Sequence, residues 1–571
     1  MRRGWALLGL LALAACSGVD VDISGQGHEE CTNVEAGTIP EPGRIAAGST
    51  LRPEAADGRE AVLVRYRSGA RVSEAAVRRL GGQVTAQYRF VPAVAARVTP
   101  EERARLAADP DVERIEPDVE LRALGLPMTA GSVDEYTDAV RLVQAPTVWD
   151  ANADGVLDTG APIGTGIRVC VIDSGLDRRH PELAIPYAAG HDFVDDDDDP
   201  SDETKGVRGI GHGTHVAGII AAQLASAGAT WPGMSRGGMV GVAPGVQLLI
   251  ARVLNVHESA SISDVLSALE WCRQQKAHIA SLSLGASVDM GRTARESFQA
   301  ARDAGMLIVA AAGNDSGPDN EAPLSYPAAY PSVLAVGAVD MRGEVATFSN
   351  RGDTLSLVAP GVDVLSSITL QGATVSEFEA EGQQYNSRSL FFSPAGEYTG
   401  ELIDCGQGEA HGCKGGTCDG FVAYVRLTRG SASSAARNVM KQGARAIVFG
   451  TDNSESESWR KLLDGPGLEW VPSLAVGWES RAAVLENLGK RVHVNLRGVD
   501  YTEFPGTSMA APHVTGVAAL VWSARPTLTA TEVRSLLERT AKDLGEPGHD
   551  PRYGYGLVQA KAALDALQQV P

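Results

Sequence analysis

The stretch "GIRVCVID" (residues 166–173) decides the fold. Only Arg168 interrupts its apolar run, and Asp173 ends it. A strand wetted on one face alternates apolar and polar residues, whereas one that stays apolar is covered on both. Runs of the same kind recur as "QLLIARVL" (247–254), "IASLSLG" (279–285), "LIVAAAGN" (307–314) and "VLAVGAV" (333–339). Helix-like segments such as "SISDVLSALEWCRQQ" (261–275) separate them. Strands alternating with helices predict an α/β domain, a parallel sheet with helices on both faces, over 136–367. In such sheets functional residues collect at the carboxyl ends of strands, which is where Asp173 lies.

Outward from this core the pattern changes twice. Upstream, residues 59–122 read as a small α+β unit. "EAVLVRYRSG" (60–69) alternates like a strand and "SEAAVRRLGG" (73–82) is a short helix closed by glycines. A further strand, helix and strand follow, a β-α-β-β-α-β order suited to an open sheet with two helices. Downstream, the alternation breaks near 368. "GFVAYVRLTRG" (420–430), a helix, "GARAIVFG" (443–450) and "VPSLAVGW" (471–478) read as strand, helix, strand, strand. Residues 368–498 therefore read as an insertion, and 499–571 as the return to the α/β domain.

The 571 residues exceed one simple core. The net charge of −21 argues against a nucleic-acid partner, which needs a basic face. The N-terminus, "MRRGWALLGLLALAAC" (1–16), has two arginines, a short apolar run and small residues before Cys16. It has signal-peptide form and is too short to span a bilayer. "LAAC" (13–16) resembles the bacterial lipobox, which implies lipidation of Cys16 and a membrane link through that anchor alone. Ser17 in place of Asp would favour the outer membrane in a Gram-negative cell. Residues 17–58, rich in Gly, Pro, Ser and acids, read as a flexible tether. Export permits disulfides. Cys405, Cys413 and Cys418 cluster, so one loop bridge is expected, while Cys170 and Cys272 read as buried thiols.

The chemistry lies in three segments. "EFPGTSMAAPHVTGVAALVW" (503–522) reads as a buried helix starting near Ser508, with Pro512 accommodated near its first turn and Gly516 permitting a close approach. Ser508 there is an N-cap or a nucleophile beside free amides. "VCVIDSGLDRRHPEL" (169–183) puts Asp173 at a strand end, ahead of the weaker candidate Asp177. "GHGTHVAGIIAA" (211–222) sets His212 between glycines at the start of a small-residue helix; His215 is its structural alternative, and His513 reads as a packing residue.

Asp, His and Ser in that order resemble the subtilisin-like serine proteases, over most of 60–571. The resemblance implies an exported serine endopeptidase acting on proteins or peptides, with Ser508 as nucleophile, His212 as base and Asp173 as its orienting acid. It implies an oxyanion donor at Asn314 in "VAAAGNDSG" (309–317), which on residues alone is equally a turn asparagine. It makes 59–122, with its "DVERIEPD" ending, similar to an inhibitor propeptide acting in cis and cut between about residues 122 and 135. It makes 368–498 similar to a protease-associated domain. Ser283, Leu284, Gly285, Ala311 and Gly313 would line the first specificity pocket. Their small size suits a large apolar residue, while Asp315, Asp319 and Glu321 nearby would suit a basic one.

Two acidic stretches invite calcium. "DANADGVLD" (150–158) places Asp150, Asn152, Asp154 and Asp158 at EF-hand positions, but the twelfth place is Ala161. "DFVDDDDDPSDET" (192–204) resembles the acidic calcium loop of some subtilases and is otherwise a solvated turn. No catalytic cofactor is expected. An inactive subtilase-fold protein that binds at the cell surface is the competing reading.

Overall fold

The computed structural model describes residues 50–51, 59–67, 74–87, 93–117, 119–120, 135–204, 207–208, 211–224, 234–235, 237–255, 259–390, 392–416, 419–427, 431–450, 463, 470–477 and 480–568. Cys16, Cys31 and Cys418 lie outside them, as does the tether apart from Thr50–Leu51, which pairs antiparallel with Val119–Glu120. Among the described residues no helix is long and apolar enough to cross a membrane.

Seven parallel strands form the central sheet, in the order Leu355–Pro360, Leu334–Val339, Leu307–Ala311, Ile279–Leu282, Arg168–Asp173, Gln247–Arg252, Tyr187–Asp192. The opening stretch sits inside it, and its apolar run follows from that place. Val169 and Val171 enter one core with the helices His212–Ala221 and Thr507–Ala524. Cys170 and Ile172 enter the other, with the helices Ile262–Gln274 and Arg292–Asp303. Each such fully buried aliphatic side chain contributes about 1.5–3 kcal/mol. The chain moves outward in opposite directions from Arg168–Asp173, so a crevice opens where its carboxyl end meets that of Ile279–Leu282.

Two findings correct the sequence reading. Cys170 and Cys272 are a disulfide, not thiols, because the helix Ile262–Gln274 packs on the sheet face toward which Cys170 points. The expected loop bridge is Cys405–Cys413. Pro512 lies inside the helix Thr507–Ala524, beyond its first turn. The carbonyl its missing N–H would have served, that of Ser508, instead accepts the Ser283 hydroxyl at 2.7 Å. Gly516 packs where a Cβ would stand 2.5 Å from Val242, the close approach anticipated for it.

Upstream, four antiparallel strands run in the order Gln83–Gln87, Ala93–Val98, Glu60–Tyr66, Val112–Pro117, with helices Glu74–Arg79 and Pro100–Ala107. This is the β-α-β-β-α-β unit read from the sequence. The insertion carries its own eight-stranded mixed sheet. Its parallel part is Phe421–Arg426, Ala444–Gly450 and Ser473–Val476, with the helix Ala432–Lys441 between the first two. Gly396–Asp404 pairs in parallel with Phe421–Arg426 and antiparallel with Arg491–Val499, which in turn pairs antiparallel with Ala373–Ala380. Val364–Ser367 and Tyr501–Phe504 pair antiparallel and close its base. The base is bonded to the catalytic side: Leu370 N–H donates to Asp177 at 3.0 Å, and Ser367 Oγ to the Thr214 carbonyl at 3.4 Å.

Candidate active site

Asp173 ends its strand with 1% exposure. Its Oδ1 lies 2.7 Å from His212 Nδ1, the first residue of its helix. The same oxygen accepts Ser174 N–H at 2.7 Å. His212 is partly exposed, so one ring edge is held by the buried acid while the residue reaches the crevice. Ser508 sits on the second residue of the helix Thr507–Ala524. Its Oγ donates to the Ser283 carbonyl at 3.1 Å. That is a resting rotamer; catalytic hydrogen bonds often tighten only when substrate is bound.

The other histidines are engaged elsewhere. His215 is buried, stacks on Phe504 at 4.5 Å, and contacts the Thr502 carbonyl at 3.1 Å. Burial pushes its imidazole down to about 3. His513 is buried against the Met509 carbonyl at 2.7 Å and pushed down to about 4 by the same cause. Neither is a base at neutral pH that reaches the crevice. Asp177 is bound by Arg179 and Leu370 N–H; burial alone would raise its carboxyl, but these hydrogen bonds hold it below the usual range.

Asn314 lies just past the strand Leu307–Ala311, as predicted. Its Oδ1 accepts Thr507 N–H and Thr507 Oγ–H, both at 2.9 Å. That fixes the amide one residue from Ser508, with its carbonyl oxygen occupied and its NH₂ as the donor end. Ser283, Leu284 and Gly285 follow one strand, and Ala311 and Gly313 end the neighbouring one. Gly313 has φ 108°, and a Cβ there would stand 2.3 Å from Asn350 and Ser325. Glycine is therefore required. Asp315 accepts the Asn350 side-chain N–H at 2.9 Å, and Glu321 pairs with Arg351 and with Arg552.

The predicted calcium ligands do not assemble into a cage. Asp150 is buried and accepts Tyr136 O–H, Asp154 N–H and Gly155 N–H. Asp158 accepts Ala151 N–H at 2.8 Å, and Asp154 accepts Val156 N–H and the Asn152 amide. The loop's own donors thus orient these carboxylates. In 192–204, Asp192 and Asp195 face Arg252, Asp199 faces Arg178, and Asp202 is buried on Ser174 and Thr214. Among the described residues no three of His, Cys, Asp and Glu are gathered to hold an ion.

Sequence reasoning missed Asp202 and Thr507. The only signal for them was a hydroxyl residue beside each predicted catalytic residue: Ser174 after Asp173, Thr214 after His212, Thr507 before Ser508.

A buried acid, a histidine and a serine at a helix start, gathered over the carboxyl ends of a parallel sheet, are the parts of a serine hydrolase. The Subtilase family profile matches residues 164–389 and 482–556. The "Major intracellular serine protease" of Bacillus subtilis is 37% identical over 238 residues, 41% of this chain and 68% of that protein. "Subtilisin E" of the same species is 32% identical over 303 residues, 52% of this chain and 68% of that protein. A psychrophilic subtilisin-like protease from an Antarctic Pseudoalteromonas is 28% identical, with TM-score 0.49 over 76% of this chain and 98% of that one. The chain belongs to the subtilase family of serine-type endopeptidases. Its substrates are accordingly proteins or peptides.

Proposed function

We propose that this chain is an exported endopeptidase that cleaves peptide bonds through Asp173, His212 and Ser508. The observation that carries the reading is the 2.7 Å contact from buried Asp173 to His212 Nδ1, which leaves Nε2 as the nitrogen for serine. His212 takes the Ser508 proton as Oγ attacks the scissile carbonyl, and the Oγ–C bond forms. The oxyanion is held by the Asn314 NH₂ and Ser508 N–H. His212 returns the proton to the leaving amine as the C–N bond breaks, leaving an acyl-enzyme. Water repeats the cycle and frees the serine. Asp173 keeps the tautomer and stabilises the imidazolium without itself taking the proton.

Substrate binds as an added strand along 283–285 and 311–313, with its first side chain in the pocket there. An apolar residue suits that pocket. Asp315 is held by Asn350 and Glu321 by two arginines, so neither is left to recognise a basic side chain. The unit over 59–122 is an inhibitor propeptide removed by the enzyme itself. The insertion is a protease-associated domain, supported by its parallel strand-helix-strand-strand core. Cys16 is a lipid anchor, so cleavage after 122 frees the mature protease from the envelope. An inactive binding scaffold is not favoured, since Asp173, His212, Ser508 and Asn314 are all present.

The test is the N-terminal sequence and intact mass of wild type beside Ser508→Ala. Wild type loses its first hundred-odd residues and Ser508→Ala keeps them. Processing of both chains alike would assign the cut to another protease. Active membrane-bound enzyme still beginning at Cys16 would overturn release.

A further inference from the structure

The His212 helix begins without a capping side chain of its own. Its N-cap is Gly211, at φ 78°, and the first-turn amides must find acceptors elsewhere. Gly213 N–H donates to Ser174 Oγ at 2.8 Å, and Thr214 N–H to Asp202 Oδ2 at 3.0 Å. Asp202 stands ten residues before His212 and is 3% exposed. Its Oδ1 accepts Ser174 O–H at 2.6 Å, and its Oδ2 also accepts Thr214 O–H at 2.5 Å. Thr214 Oγ1 in turn accepts Asp177 N–H at 2.9 Å.

One carboxyl group thereby ties together two segments. Ser174 directly follows Asp173, and Gly213 and Thr214 directly follow His212. The side chains of Asp173 and His212 are the ones that meet at 2.7 Å. A buried acid is costly to keep unless its oxygens are satisfied, and here three donors satisfy both. Burial pushes this carboxyl up, the proximity of Asp173 adds to that, and the Ser174 and Thr214 hydrogen bonds pull it back. Charged groups near the cluster among the described residues include Asp173, Asp177, Arg178 and Arg179.

We propose that Asp202 is a positioning residue for catalysis: through Ser174 and Thr214 it sets the distance and angle between Asp173 and His212. It touches no substrate and acts only through that pair, so the inference rests on the triad assignment above. Displacing a reacting group by about 1 Å costs on the order of 100-fold in rate. Much of that loss is the effect expected of Asp202.

The experiment compares mature Asp202→Ala, Asp202→Asn and Ser174→Ala with wild type. The amount of folded, processed enzyme is fixed by intact mass and active-site titration, and kcat and KM are read on one short peptide. Asp202→Ala lowers kcat about 10- to 100-fold with KM within twofold. Asp202→Asn, which keeps the shape and an acceptor, recovers part of the loss. Ser174→Ala, which cuts one arm, gives an intermediate loss and covers the case in which the Asp202 variants do not mature. In a His212→Ala background, matured in trans by wild-type enzyme that is then removed, Asp202→Ala adds no further loss, because the group it positions is gone. The proposal is overturned if kcat stays within twofold of wild type, if KM moves as much as kcat, or if the same loss recurs in the His212→Ala background. A His212→Ala enzyme as active as wild type would instead overturn the triad itself.

Discussion

The helices that carry His212 and Ser508 begin alike and are finished differently. Each starts at a glycine with positive φ, Gly211 at 78° and Gly506 at 150°, and neither has a side-chain N-cap of its own. Around His212 the first-turn amides are closed by Ser174 and Asp202. Around Ser508, Thr507 N–H is taken by Asn314 and Met509 N–H by the Gly506 carbonyl, and among the described residues no acceptor takes Ser508 N–H. The difference matches the charge each end must meet. In the proposed mechanism His212 becomes a cation, and buried carboxyl oxygens beside its helix favour it. In that mechanism the serine's substrate becomes an oxyanion, which the Ser508 N–H and the positive dipole end favour. One helix start is filled, and the other keeps an open amide at Ser508.

The largest effect comes from emptying the open end of its nucleophile: Ser508→Ala lowers kcat by about 10⁴-fold or more on a peptide substrate. Next is Asn314→Ala. Loss of one oxyanion donor costs roughly 10²–10³ in kcat in a subtilisin, and the same range is expected here with KM little changed. Asn314 also accepts from Thr507, so thermal unfolding read alongside separates the catalytic loss from a lost cap. A drop in kcat below tenfold would show that Asn314 is mainly the cap.

Both helices also carry a buried neutral histidine, His215 on one and His513 on the other, held near 3 and near 4 by burial. An unfolded imidazole titrates near 6.5. Between those values the unfolded chain binds more protons than the folded one, so stability is full above about pH 6.5 and falls as pH drops toward 4. At pH 5 each histidine costs roughly 2 kcal/mol relative to pH 7. Buried Glu182 and Asp202, both raised by burial, act in the opposite sense and soften the fall. Denaturant unfolding of Ser508→Ala, which cannot digest itself, reads this at pH 7 and pH 5. Adding His513→Gln should shrink the difference, and an unchanged difference would remove His513 from the account.

The three residues assigned to the triad were far more legible in sequence than the residues that hold them. Asp173, His212 and Ser508 are each marked locally, by a strand end, by flanking glycines and by a small-residue helix. Asn314 follows its strand by three residues, but on residues alone it was equally a turn asparagine, and only the family resemblance gave it the oxyanion role. Asp202 was not legible, because it stands in a run of acids whose other members face arginines or solvent. Nothing local separates the one that turns inward. The Cys170–Cys272 bridge was hidden for a related reason: its halves lie 102 residues apart and meet only when a helix packs on the sheet. Pro512 misled because its cost is removed by a hydroxyl, that of Ser283, from another strand. Local chemistry was visible, and chemistry that depends on which elements become neighbours was not.

The smallest expected effect tests whether a helix start far from the crevice obeys ordinary capping. The helix Ala530–Thr540 has the side-chain cap both catalytic helices lack. Thr529 accepts Glu532 N–H at 3.3 Å, and Glu532 accepts Thr529 N–H at 2.7 Å. The box is exposed and serves no substrate, so Thr529→Ala should cost about 1 kcal/mol of stability and nothing in kcat. The matching change at a catalytic helix, Thr507→Ala, removes a hydroxyl that accepts Gly313 N–H at 3.1 Å and donates to Asn314. It should therefore lower kcat as well as stability. If both variants lost stability alone, the open helix start at Ser508 would be an ordinary terminus, and the contrast between filled and open ends would carry no catalytic meaning.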